Sequence, residues 1–282
     1  MRLSIEKSIG DLPAMPATAN AVLVESNDPD STVARLEKII HLDQAITSKV
    51  LRVVNSSYYG YEGEVSSISQ ACLMLGIQQI KALVLSMTLF SMLEGRTPHQ
   101  QAASNQVWLH AMASTACVNL IATKKHLKPS DTGFLLVASL LHDIGRLLLF
   151  ASFIEEYDAV MEKALAENIS LDLVEMQVLG TTHGRIGSQM ARGWNLPEKI
   201  SQIIDQHEGN FSQQPPWEVF PVHIADCFTQ YLYKNPAEPE RLPVAQLALD
   251  WIGLDQEELD LLYSETLEKV TEFENSEIIE AA

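Results

Sequence analysis

Apolar residues in this chain recur at helical intervals almost throughout, and no run alternates apolar and polar positions between turn signals as a half-buried strand would. In "ITSKVLRVVNSS", Ile46, Val50, Val53 and Val54 fall on one face of a helix that Asp43 is placed to cap. "YYGYEGEVSS" holds two glycines and ends that helix. Gly76 then separates "SISQACLML" from "IQQIKALVLSMTLFSML", which is mostly apolar and therefore interior. The polar stretch "EGRTPHQ", Glu94 to Gln100, contains Pro98 and reads as the loop that closes an N-terminal lobe.

Helices resume from about Asn105 with "NQVWLHAMASTACVNLIATKKHL". "TGFLLVASLLHDIGRLLLF" reads as the next helix, buried along its length, and "FIEEYDAVMEKALAEN" as an amphipathic third. Further helices are predicted over "LVEMQVLG", from "HGRIGSQMARGW", after the "NLP" break and over "PVHIADCFTQYLY", with "GNFSQQPPWEVFP" a loop. The expected fold is an all-α helical bundle of two packed lobes, residues 1–100 and 101–230, followed by an acidic helical segment over 231–282.

Composition narrows the class. Hydrophobic residues make up 46% and charged residues 20%, the balance of a soluble globular chain. No apolar run reaches the ~18 to 20 residues of a membrane span, and "MRLSIEKSIG" has no apolar h-region, so a cytoplasmic protein without a membrane partner is expected. Cys72, Cys117 and Cys227 form no C-x-x-C pair and read as buried free thiols. The net charge of -18 argues against a nucleic-acid partner. "STVARLEKIIHLDQAITSKVLRVVNSS" superficially resembles a helix-turn-helix, but its second helix offers only Lys49 and Arg52 as cations. From Asp255 onward the chain carries ten acidic residues against one lysine, while Leu259, Leu262, Leu267 and Val270 keep a weak helical pattern. A solvated terminal helix, frayed at its end, is expected there.

The chemistry is concentrated in "SLLHDIGRLLLF", where His142 and Asp143 interrupt an apolar segment. A lone carboxylate in an apolar interior costs several kcal/mol, on the order of what most single interactions return, so it needs a partner. Metal-ligand types also enter apolar contexts at His110, His183, His207 with Glu208, and Asp226. Taken singly, each has a purely structural explanation. Arg146, three residues on, can pair with Asp143, and His223 can hydrogen-bond Asp226 at the same spacing.

The order of these residues resembles the HD superfamily of helical metal-dependent phosphohydrolases. Its signature is a histidine, an adjacent His-Asp and a distant aspartate, matched here by His110, by His142 with Asp143, and by Asp226. His183 and His207 resemble the additional histidines of its two-metal members. The N-terminal stretch Leu12 to Gly60 resembles the opening of an HDOD domain, the HD-related output domain of bacterial signalling proteins. It carries Leu12 and Pro13, then Asp43 followed by Gln44 where the family usually has proline, then Asn55 and Ser56, and later Leu75 and Gly76. The resemblance implies an HD-like helical core. It implies a site of His110, His142, Asp143, His183, His207 and Asp226 for one or two divalent ions, iron, manganese or zinc. In an active enzyme Asp143 would bridge the ions and Arg146, replacing the usual lysine, would face the phosphate of a phosphoester or nucleotide. The Gly-Tyr-Pro loop of cyclic-dinucleotide phosphodiesterases is replaced by "HEGNFSQQPPW", which argues against that substrate. Two functions follow: a signalling output module that docks a signalling protein through its N-terminal lobe, or a metal-dependent phosphohydrolase.

Overall fold

The computed structural model describes residues 2–12, 14–26, 28, 30–56, 65–93, 95–167, 169–209, 211, 213–234 and 242–274. Pro13, Gly60, most of "YYGYEGEVSS" and the last eight residues, where fraying was expected, lie outside them. Among the described residues every regular element is helical. The N-terminal helices are α1 (Arg2–Gly10), α2 (Ala17–Ser26), α3 (Val33–Ile40), α4 (Gln44–Val54), α5 (Ile68–Leu75) and α6 (Ile77–Met92). The second group comprises α7 (Pro98–Lys124), α8 (Pro129–Leu141), α9 (Ile144–Glu167), α10 (Leu171–Val178), α11 (His183–Gly193), α12 (Glu198–Gln206) and α13 (Val219–Thr229). The chain closes with α14 (Tyr231–Lys234), α15 (Gln246–Ile252) and α16 (Gln256–Glu274).

Local sequence sets most of the boundaries. Asp43 caps α4 by accepting from the Ile46 amide, and the face it starts buries Ile46, Val50, Val53 and Val54. Asn55, just past the end of α4, holds Val65 through two hydrogen bonds of 2.7 and 2.9 Å. Gly76 has φ of 90°, a left-handed conformation open to glycine, and it turns α5 into α6. Helix α6 is buried from Ile80 to Phe90, packs along α8, and joins the two groups into one continuous apolar core.

Three sequence expectations change. The loop read over Glu94 to Gln100 is shorter, because Thr97 and Gln100 form a reciprocal capping box and Pro98 is the first helical residue of α7. The segment read as one helix through His142 and Asp143 breaks there: α8 stops at Leu141 and α9 starts at Ile144. Although exposed acid was expected to leave α16 solvated, it docks on α7 and buries Leu259, Leu262, Thr266 and Val270. The α8–α9 stretch, Pro129–Glu167, is also long and apolar enough to cross a membrane by length and composition. This differs from the expectation that no apolar run reaches that length; 83% of the most apolar window is buried inside the protein.

The crossing of α9 over α11 is made by backbone contact. A Cβ on Gly145 would collide with the His183 carbonyl and the Gly187 amide, and one on Gly187 would strike Ile204. This crossing brings the start of α11 against the α8–α9 junction. Gly145→Ala is therefore expected to destabilise the fold by about 3 kcal/mol in urea titrations, through overpacking against backbone that cannot move aside. Gly193→Ala, with open space around it, is expected to be neutral or to stabilise by up to about 1 kcal/mol. Equal effects of the two substitutions would refute the close crossing.

Candidate metal centre

Five elements deliver side chains to one buried point. Helix α7 supplies His110, the α8–α9 junction His142 and Asp143, the first residue of α11 His183, the end of α12 His207, and α13 Asp226. All six are between 0 and 2% exposed. The break between α8 and α9 is what turns consecutive residues inward together. In a continuous helix His142 and Asp143 would point about 100° apart. The six residues singled out in the sequence converge, with no outlier.

The ligand atoms fall into two groups that share Asp143. Its Oδ2 lies 3.6 Å from His110 Nε2 and 3.8 Å from His142 Nε2, while Asp226 Oδ1 lies 3.1 and 3.7 Å from the same two nitrogens. Its Oδ1 lies 3.1 Å from His183 Nε2 and 3.6 Å from His207 Nε2, and Glu208 Oε1 lies 2.9 Å from His183 Nε2. Within each group of His110, His142 and Asp143, or Asp143, His183 and His207, the ligand atoms lie within 4.8 Å of one another.

The other nitrogen of every ring is committed. His110 Nδ1 is 3.2 Å from the Thr229 carbonyl, His142 Nδ1 2.7 Å from the Ser139 carbonyl and His207 Nδ1 2.8 Å from the Ile204 carbonyl. His183 Nδ1 is 2.9 Å from the Glu175 carboxylate. These partners accept and do not donate, so each Nδ1 carries the proton and each neutral ring presents a bare Nε2. The bare nitrogens then crowd one another, at 3.0 Å for His110 and His142 and 3.2 Å for His183 and His207, and face carboxylate oxygens. Lone pair against lone pair is repulsive unless a positive centre lies between.

Charge gives the same result. Asp143, Asp226, Glu175 and Glu208 meet here, and Arg146 is the one guanidinium among the described residues that pairs with them, through a single contact of 3.4 Å from Nη1 to Asp143 Oδ2. Each buried carboxylate costs several kcal/mol, on the order of what one well-made ion pair returns, so Arg146 offsets a fraction of the total. The local pairing of Asp226 with His223 is not made. His223 instead donates from Nδ1 to the His207 carbonyl at 2.8 Å and accepts at Nε2 from the Ala245 amide at 3.0 Å.

Proton affinities follow the crowding. Burial acts to lower the His183 pKa, but Glu175, Asp143 and Glu208 outweigh it and hold it well above the usual histidine value. Burial and then Asp143 act in the same opposed senses on His207, which is also raised. At His110 burial prevails and the pKa falls. Burial would raise both aspartates; neighbouring imidazoles, and for Asp143 also Arg146, hold them below the usual carboxylate range. Without another cation, protons collect where one would sit. The donor set, imidazole nitrogen with carboxylate oxygen and a shared aspartate, fits divalent iron, manganese or zinc.

Sequence reasoning missed the supporting shell. Glu175 is fully buried on α10, where it receives the His183 amide at 2.8 Å and the Tyr157 hydroxyl at 2.7 Å. Tyr233 donates to Asp143 Oδ2 at 2.7 Å, and its ring lies 3.6 Å from the Arg146 guanidinium carbon. Gln230 donates to Asp226 Oδ2 at 2.8 Å. The carboxylate within apolar "LVEMQVLG" was the available signal for Glu175.

A family model described as the HDOD domain matches residues 12–209. An uncharacterised protein of Treponema pallidum (strain Nichols) is 22% identical over 204 residues, which is 72% of this chain and 39% of that protein. The chain thus spans well under half of that relative's length. Among solved structures, an HDOD domain protein of unknown function from Geobacter sulfurreducens has TM-score 0.73 and 22% identity, covering 99% of this chain and 96% of that one. A candidate signal transduction protein from Marinobacter aquaeolei VT8 has TM-score 0.78 and 21% identity over 94% of this chain and 58% of that one. A candidate phosphohydrolase from Shewanella amazonensis SB2B has TM-score 0.67 and 20% identity over 95% and 97%. At these identities the likenesses establish the all-α fold.

The raised His183 pKa has a signed consequence. In protein treated with chelator, its contribution to stability is full below the unfolded value of about 6.5 and is lost as pH rises through the higher folded value. Nitrogen-15 NMR of the imidazole should show His183 titrating above about 6.5. Glu175→Gln, which removes the charge and keeps an acceptor, should bring that midpoint down. A midpoint at or below about 6.5 with Glu175 intact would contradict this electrostatic account.

Proposed function

The chain belongs to the HDOD domain family, and from that premise we propose that it is a cytoplasmic signalling output module whose core is pinned by two divalent cations sharing Asp143. One cation is held by His110, His142, Asp143 and Asp226, and the other by Asp143, His183, His207 and Glu208. The observation that carries the reading is the convergence of four imidazole Nε2 atoms on the two oxygens of one buried aspartate. A closed set of four protein ligands, each with a side chain at most 3% exposed apart from Glu208 at 16%, is the pattern of a structural ion. In this role the residues tie α7, the α8–α9 junction, α11, α12 and α13 together, and Glu175 keeps His183 in the tautomer that binds. The partner is another signalling protein, met through the N-terminal lobe, where Leu42 and Leu73 stand 84% and 82% exposed.

One observation favours a second reading, a metal-dependent phosphohydrolase. Glu208 also borders a surface cleft of about 660 Å³, so displacement of its carboxylate would open one ion to a phosphoester or nucleotide. A bound cation there would polarise the phosphoester and lower the pKa of a water. Asp143 would hold both halves of the site in register, and Arg146 would bring positive charge to the phosphate side.

Metal analysis of protein purified without added ions or chelator tests the proposal. About two equivalents of metal are expected, as in other carboxylate-bridged pairs. Asp143→Ala should release them and lower the melting temperature, since an ion at a thousandfold its dissociation constant adds about 4 kcal/mol to the folded state. Metal-free wild-type protein that gains no stability from manganese, iron or zinc would overturn the reading. Phosphatase or phosphodiesterase turnover that Asp143→Ala abolishes would replace the module by the enzyme.

A further inference from the structure

Arg146 is 3% exposed, yet much of its guanidinium is unsatisfied. Nη1 reaches Asp143, Nη2 meets only the Met161 sulfur at 3.5 Å among the described residues, and Nε has no hydrogen-bond partner. Nε–H and Nη2–H point the same way from one edge of the planar group, and that edge is the fork that takes a carboxylate through two parallel hydrogen bonds. A buried donor left without an acceptor is costly, the more so when charged, so the arrangement calls for an anion.

Arg146 also lines a cavity of about 110 Å³, which it shares with Met161, Ala164, Leu165, Ile169 and Leu171. Leu165, 53% exposed, marks its mouth. Apart from Arg146, these walls offer hydrocarbon and one thioether. The polar groups across the floor are engaged elsewhere: Tyr233 donates to Asp143 and Gln230 to Asp226. The ring of Tyr233 lies against the guanidinium, 3.6 Å from its central carbon.

From this geometry we infer that the cavity is a binding site for a small aliphatic carboxylate, whose head group meets the Arg146 guanidinium and whose chain runs past Ala164 toward Leu165. A dianion fits less well, because one guanidinium faces it and Asp143 and Asp226 lie behind. The cavity holds about 110 Å³ and opens beside the exposed Leu165, so the far end of a linear chain can extend past its mouth. The ligand touches α9 and the α10 approach, and not the bare imidazole nitrogens. Arg146 touches Asp143, so the test is run with and without chelator to separate this site from the proposed metal centre.

The test uses the full chain with carbon-13 label in the methionine methyls, titrated with hexanoate, hexan-1-ol, hexylamine and inorganic phosphate, with and without chelator. Hexanoate should move the Met161 signal saturably and raise the melting temperature, and the alcohol and the amine should not. Ala164→Phe, which fills the cavity without touching the guanidinium, should weaken hexanoate about tenfold or more. Arg146→Gln should abolish binding, and the Ala164 variant keeps the test decisive if the Arg146 variant does not fold. An absent or non-saturating Met161 response, an equal response to hexan-1-ol, competition by equimolar phosphate, or unchanged binding in Ala164→Phe would each overturn the inference. Loss of the metal centre would show instead in metal content, with the Met161 response to hexanoate preserved.

Discussion

Four hydrogen bonds at Nδ1 govern this structure. Three go to backbone carbonyls, of Thr229, Ser139 and Ile204, and one to the Glu175 carboxylate. Because each partner is an acceptor, each bond places a proton on Nδ1, so that a neutral ring is left with a bare Nε2. Two of the carbonyls, Ser139 and Ile204, sit three residues before their own histidines at the ends of α8 and α12, where helix carbonyls lack intrahelical partners. Helix termination thus does two things at once: it satisfies the last carbonyls and aims the ring. The result is a buried surface of lone pairs that the protein's own cations only partly balance.

The helical scaffold is arranged around that surface. The break between Leu141 and Ile144 turns His142 and Asp143 inward together, which a continuous helix could not do. Gly145 and Gly187 bring α9 and α11 into backbone contact, which sets His183 beside Asp143. Glu175 braces that corner from α10, and Tyr157 braces Glu175. Tyr233 closes the opposite side over Asp143 and Arg146. The apolar core holds these elements in place, but it does not account for the inward direction of the polar groups.

The order and spacing of His110, His142, Asp143, His183, His207 and Asp226 were readable in the sequence because they resemble the HD signature, and His110, His142, Asp143 and Asp226 also interrupt apolar runs. Their joint convergence needed the structure, since each taken singly also had a purely structural explanation, and the His223 alternative for Asp226 is excluded only by seeing His223 turned toward His207 and Ala245. The helix break at His142 was hidden because leucine and isoleucine continue on both sides, so tertiary demand overrides a continuous pattern. Thr97 to Gln100 carried a capping-box signature, and Pro98 suits a first helical turn as well as a loop. The burial of α16 was masked by its acid, which occupies the outer face while Leu259, Leu262, Thr266 and Val270 share the inner one. Glu208 was already readable beside His207 as a ligand type, whereas Tyr233 carried no decisive signal, because a tyrosine after a helix is an ordinary surface residue until the fold turns it inward.

The central claim is that positive charge sits between the bare Nε2 atoms on either side of Asp143. Anomalous diffraction from crystals grown without chelator, collected at the absorption edges of iron, manganese and zinc, measures this directly. The account predicts two anomalous peaks about 3.5 to 4 Å apart, one beside each oxygen of Asp143 and each within about 2.0 to 2.2 Å of its imidazole nitrogens. A map with no anomalous peak at Asp143, and water or direct hydrogen bonds between the same atoms, would contradict it.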